Sequence, residues 1–186
     1  MWRPVAIDLG VFQGIESRWV IREFRTSDRT SLVRAANNGK VADQLRDRFP
    51  HPYTADHARE WLDRVQVEDP VSHFAIGAGD EVAGSIGLQL QSDVHLRVAE
   101  LGYWLAEPYW GRGIATRAVI AFTEFAFERY RLIRIYATVF ETNPASARVL
   151  EKAGYLCEGR LRMSVVKHGR VLDQLLYSKL NPPAPR

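Results

Sequence analysis

Gly111 and Gly113 stand where a strand-like run ending near Leu105 gives way to a helical pattern that opens at about Gly113. A junction of that kind can hold an anion. The N–H groups of a first helical turn lack intrahelical acceptors, the positive end of the helix dipole lies at the same spot, and residues without a Cβ let a phosphate reach the main chain. A glycine turn that merely starts an amphipathic helix is the plainer alternative. Spacing tests two other phosphate loops: G-x-x-x-x-G-K-[ST] is absent, and G-x-G-x-x-G fails at its last position, where Thr116 stands. Glu141, closing the next strand-like run, has the place of a ribose-binding acid, but the antiparallel pattern upstream does not suit a doubly wound sheet.

Among groups that could move a proton, Glu100 has the most useful position. Alternation along the run that enters the glycine loop puts it on one face with Gly102 and Trp104, where a carboxylate could accept a proton. A solvated strand charge is the alternative. The five histidines, at 51, 57, 73, 95 and 168, show no ligand spacing, so no metal is expected. Cys157, the single cysteine, has no cationic helix end or histidine beside it in sequence and is expected to pack as a small hydrophobe.

The elements around these residues follow from periodicity. Trp19–Phe24 reads as a short strand, followed by a helix capped from Thr26, Ser27 or Asp28, carrying Leu32, Val33, Ala35 and Ala36, and stopped at Asn37-Asn38-Gly39. Val41, Leu45 and Phe49 at spacing four predict a second helix up to Pro50, and Ala58, Trp61, Leu62 and Val65 a third from about Thr54. A hairpin follows, with Phe74, Ile76 and Ala78 alternating before a turn at Gly79-Asp80 and a return over Val82–Leu90. A further strand reaches Leu105, and Gly113–Tyr130 is a long helix. Ile133–Phe140 is a strand, Asn143-Pro144 opens a helix that ends at Gly154, and a last hairpin turns at His168-Gly169.

At 186 residues, 46% hydrophobic and 25% charged, the chain is expected to form one domain, with residues 1–17 as an N-terminal extension and 181–186 as a flexible tail. One cysteine cannot form an internal disulfide, which points to a reducing, cytoplasmic setting. Asp8 and Glu16 interrupt any signal-peptide core, and the longest uncharged apolar run, Ala118–Phe122, is far too short to span a membrane. The net charge of +3 comes from scattered arginines, so neither a membrane surface nor a nucleic acid is expected as partner.

Two ordered blocks carry a resemblance. Trp110-Gly-Arg-Gly-Ile-Ala115 resembles the Q/R-x-x-G-x-G/A pyrophosphate loop of the GNAT superfamily of acyl-CoA N-acyltransferases, with tryptophan first as in the RimJ/RimL branch of ribosomal-protein N-terminal acetyltransferases. Asn143-Pro-Ala-Ser-Ala-Arg-Val-Leu-Glu-Lys-Ala-Gly-Tyr155 is similar to that branch's N-x-x-S-x-x-V-L-E-K-x-G-F/Y segment. Phe49-Pro-His-Pro-Tyr-Thr54 resembles its early proline–aromatic acceptor loop, which marks Phe49, Pro50 and Tyr53 as substrate-binding candidates. The similarity runs from about Arg18 to Leu180.

The resemblance implies an α/β (α+β) fold with a mixed, mostly antiparallel central sheet and helices on both faces. It implies acetyl-CoA as co-substrate, its pantetheine arm pairing with backbone at Trp104 and Leu105 beside Tyr103. The pyrophosphate would lie on the amides of Gly111, Arg112, Gly113, Ile114, Ala115 and Thr116, next to Trp110. Asn143 and Ser146 would approach the pantetheine, although Asn143 also reads as a plain N-cap. Direct transfer to an amine needs an oxyanion donor, a base and a proton for the thiolate, and the candidates are Leu105 N–H, Glu100 and Ser146 or a water. Many relatives carry a tyrosine acid seven residues after the helix asparagine, and this chain has Leu150 there. Some carry a carboxylate in the last hairpin, where this chain has Met163–Val166. The expected acceptor is a protein N-terminal α-amine. The alternatives are a small amine, polyamine or aminoglycoside-like, and a catalytically silent acyl-CoA-binding module. Either a monomer or a homodimer fits.

Overall fold

A computed structural model describes residues 5–13 and 15–182, so the tail from residue 183 onward lies outside the described residues. In chain order the elements are β1 (Ala6–Phe12), β2 (Ile15–Arg22), α1 (Arg29–Ala36), α2 (Gly39–Ala42), α3 (Ala55–Gln66), β3 (His73–Ala78), β4 (Glu81–Leu90) and β5 (Val98–Leu105). There follow α4 (Ile114–Arg129), β6 (Arg134–Phe140), α5 (Pro144–Lys152), β7 (Leu156–Lys167) and β8 (Arg170–Leu180). The strands hydrogen-bond in the order β1-β2-β3-β4-β5-β6-β8-β7. Pairing is parallel at β5/β6 and antiparallel at β1/β2, β2/β3, β3/β4, β6/β8 and β7/β8, the mixed and mostly antiparallel sheet expected. By contacts the chain divides into two compact units, one running to Gly87 and taking in Tyr103–Ala118, the other made of Leu88–Gly102 and Val119 onward.

In the first unit, α3 shows how pattern becomes packing. Thr54 accepts a hydrogen bond from His57 N at 3.3 Å, satisfying one amide of the first turn. Ala58, Leu62 and Val65 then fall on one face and are buried with Phe24, Leu32, Ala36, Tyr53, Ala75 and Val82. The helix expected over Val41–Phe49 forms only one turn, Gly39–Ala42. Asn38 caps it by accepting from Lys40 N, but after Ala42 the run Asp43–Arg48 supplies one apolar side chain, too little buried surface to extend the helix. Within residues 1–17, expected as an N-terminal extension, the described part is strand: Ala6–Phe12 forms β1 and β2 starts at Ile15. Leu9, Phe12 and Trp19 are buried, and the Phe12 and Trp19 rings meet edge-on at 6.1 Å. Two register shifts between β1 and β2 break the alternation that would have shown the strand in the sequence.

In the second unit, three strands are tied by one carboxylate. Glu158 on β7 accepts from Arg134 on β6 through both its oxygens and from Ser178 on β8 at 2.6 Å. The Arg134 guanidinium first, and Ser178 second, hold its pKa down at about 2 from the ordinary 4.5. A depressed carboxylate contributes stability that is present above the unfolded-state pKa and is lost as pH falls through the folded-state value. Urea unfolding followed from pH 7 to pH 2 is therefore expected to show a shallower acid decline for Glu158→Gln than for the parent, chiefly below the ordinary carboxylate pKa. Equal slopes for the two proteins would remove this role.

Candidate active site

The first unit carries the candidate phosphate loop. β5 ends at Leu105, a 3-10 turn occupies Glu107–Tyr109, and Gly111 and Gly113 follow at φ +73° and +78°, a region that only glycine enters without strain. Arg117 N donates to Gly113 O at 3.1 Å, so Gly113 occupies the N-cap of a 16-residue helix. A glycine cap has no side chain to turn back on the amides of Ile114, Ala115 and Thr116, which helical geometry leaves without intrahelical acceptors. A Cβ built at Gly111 or Gly113 would meet no atom beyond its chain neighbours within 4 Å, so the space over both residues is open to a ligand. Arg112 is exposed beside it, Ala115 and Thr116 are half-buried, and Ile114 is buried, anchoring the turn. These residues fit a pyrophosphate.

The end of β5 is defined by its main chain. A methyl group at Gly84 would fall 2.3 Å from Trp104 O, so that carbonyl faces β4, and Ala106 N donates to Ala83 O at 2.7 Å, again toward β4. Planar trans peptides then direct both the N–H and the C=O of Leu105 away from β4. The Leu105 carbonyl accepts from Trp110 Nε1 at 2.6 Å, which bears on the expected pantetheine pairing: of Leu105's two main-chain groups, the carbonyl is already engaged. Tyr103 and Trp104 are half-buried and Leu105 is buried.

The acceptor-loop candidates meet this strand. The Phe49 ring lies 5.5 Å from Trp104, edge to face, and 5.3 Å from Tyr53. Tyr53 is held at its amide by Asn37 Oδ1 at 3.0 Å, and burial pushes its phenol up to about 12, so it stays protonated. Pro50 is half-buried beside Phe49. A link the sequence reading missed ties this region to the strand-to-helix loop: Glu107 accepts from Asn38 Nδ2 at 2.8 Å and pairs with Lys40. Nothing in sequence spacing signals it.

In the second unit, Glu100 lies on β5 opposite Tyr136 of β6 in a parallel register that also pairs Val98 with Arg134 and Ala99 with Ile135. Its carboxylate is half-buried and accepts from Thr138 Oγ1 at 3.2 Å, a partner that only the strand register reveals. Asn143 caps α5, its Oδ1 accepting from Ser146 N at 3.0 Å, so both candidates sit in one capping turn. That turn is braced by Asp173, whose main chain exchanges bonds with Glu141 and whose Oδ1 accepts from Met163 N at 2.8 Å. The Met163 bond, and then Arg160, hold the Asp173 carboxyl below its usual range. Leu150, where many relatives place a tyrosine, is fully buried and has no proton to give. Cys157, expected to pack as a small hydrophobe, is exposed. Among the described residues no group of His, Cys, Asp or Glu could hold a metal ion, and no helix is long and apolar enough to cross a membrane.

Comparison with known proteins identifies the family. The Bacillus subtilis protein YdaF, provisionally named a ribosomal N-acetyltransferase, is 35% identical over 78% of this chain and 74% of its own. The spermidine N(1)-acetyltransferase of Escherichia coli is 27% identical over 76% of this chain and 74% of its own. Among solved structures, that of RimL, a ribosomal L7/L12 alpha-N-protein acetyltransferase in complex with coenzyme A, superposes with a TM-score of 0.81 at 18% identity, covering 95% of this chain and 98% of that one. The model of the acetyltransferase (GNAT) domain matches residues 18–156, from β2 through the glycine loop and α5 to the start of β7, and the chain therefore belongs to the GNAT acetyltransferase family.

Proposed function

We propose that this acetyltransferase moves the acetyl group of acetyl-CoA directly to a primary amine, and that the amine is a protein N-terminal α-amine. The observation that carries the cofactor assignment is Gly113: a helix N-cap without a capping side chain, in the αL region, with open space above it. YdaF and the spermidine enzyme leave the acceptor class open between them. The aromatic character of Phe49, Tyr53 and Trp104 favours a peptide end over a polycation, which would need carboxylates along its length. The family match extends through both compact units, which supports reading the chain as one catalytic domain, and a single exposed cysteine suits a reducing cytoplasm.

In this reading a neutral amine attacks the thioester carbonyl. The new C–N bond pushes the carbonyl pair onto oxygen, where Leu105 N–H donates to it. Glu100 accepts the ammonium proton, directly or through one water. Collapse then breaks the C–S bond, and the thiolate takes a proton from a water or from the Ser146 hydroxyl. Release of free CoA thiol from the purified protein, with a short peptide bearing a free α-amine, the same peptide with a blocked N-terminus and an internal lysine, and spermidine, tests the proposal. Turnover with the free α-amine is expected to exceed the others. Preference for spermidine overturns the acceptor assignment, and cofactor binding without thiol release from any amine overturns catalysis.

A further inference from the structure

We infer that Trp110 is a positioning residue whose indole N–H engages the Leu105 carbonyl and so lessens its competition with the neighbouring Leu105 N–H, the oxyanion donor. The inference rests on the assignment of Leu105 N–H to the oxyanion. It begins from a problem that any extended residue poses: its N–H and C=O project on the same side of the strand. Leu105 shows this, since Trp104 O and Ala106 N both turn toward β4 and send the N–H and the carbonyl of Leu105 the other way. A developing oxyanion drawn to that N–H would meet the lone pairs of the neighbouring carbonyl, and like partial charges at so short a range repel.

The indole eases the conflict. Trp110 Nε1 donates to Leu105 O at 2.6 Å, which engages one of the carbonyl's two lone pairs and weakens the acceptor that stands beside the Leu105 N–H. The loop is built for this contact: Ala106 N is fixed on Ala83 O, Trp110 N closes the 3-10 turn on Glu107 O at 3.0 Å, and Gly111 turns the chain immediately afterwards at φ +73°. Burial does not account for the residue type, because Trp110 is 43% exposed and a phenylalanine would cover similar apolar surface. What a phenylalanine lacks is the N–H.

The decisive variant is Trp110→3-benzothienylalanine, in which sulfur replaces the indole N–H at nearly constant shape, with Trp110→Phe as the encoded equivalent. Both are expected to lower kcat about 10- to 10²-fold, below the cost of deleting an oxyanion donor outright, while the acetyl-CoA Kd and the Tm stay close to those of the parent. A second readout needs no turnover: the infrared C=O stretch of a bound, unreactive ketone analogue, acetonyl-CoA labelled with 13C at the carbonyl, is expected to lie below its solution value in the parent and to move back toward it in the variants. Unchanged kcat and stretch, tighter acetyl-CoA binding once the carbonyl is freed, or a common loss of binding, stability and rate would each overturn the role of Trp110. A ketone stretch at the solution value in the parent would instead overturn the Leu105 assignment itself, so the two failures are distinguishable.

Discussion

Gly113→Val is expected to weaken acetyl-CoA binding on the order of 10²-fold, the equivalent of losing one or two charge-assisted hydrogen bonds at about 1.5–3 kcal/mol each. The cause lies on the ligand side. A Cβ at Gly113 meets no atom beyond its chain neighbours within 4 Å, so on the phosphate-loop assignment valine enters the space that the phosphate crosses to reach the amides of Ile114, Ala115 and Thr116. A backbone contribution adds to it, because φ +78° costs an L-residue about 1–2 kcal/mol. That strain acts with or without ligand and is read separately as a lower Tm, while the blocked approach is read as a higher Kd. Gly113→Ala shares the strain with less bulk and should fall between valine and the parent in Kd while matching valine more closely in Tm. A Kd unchanged in calorimetry for both variants would end the phosphate-loop assignment.

What could be read from the sequence depended on how local the cause is. The helix over Ala55–Gln66 was legible because its cap and its buried face lie within one stretch of chain, and the glycine loop because a strand, two glycines and a helix start are adjacent. β1 was not legible, since its alternation is broken by two register shifts and its buried residues gain their meaning only beside Trp19 of β2. Val41–Phe49 misled because spacing four is necessary for a helix but does not ensure enough buried surface to hold one. Among the candidate residues, the contact of Phe49 with Trp104 and the hold of Asn38 and Lys40 on Glu107 in the first unit, and the bond from Thr138 to Glu100 in the second, all join residues far apart in the chain. Strand register and loop path create these contacts, and no spacing within one segment encodes them.

The last of those contacts frames the test of the base. If Glu100 takes the proton of the attacking amine, Glu100→Gln keeps the shape and the bond partner at Thr138 Oγ1 but removes the proton acceptor. The rate is then expected to fall about 10²-fold or more with acetyl-CoA binding nearly unchanged, since general bases contribute roughly 10²- to 10⁴-fold. The deficit has a characteristic pH dependence. An N-terminal α-amine titrates at about 7.7–8.0, so its neutral fraction grows through that range, and loss of the base should cost progressively less toward higher pH. A purely structural carboxylate would lower the Tm together with the rate at every pH, and a solvated strand charge would leave the rate within a few-fold. The amide of glutamine can still accept from Thr138, so the local hydrogen bond does not confuse the outcome. Parallel pH–rate profiles for the parent and Glu100→Gln would exclude the base role and leave the proton to a water chain ending on main-chain carbonyls.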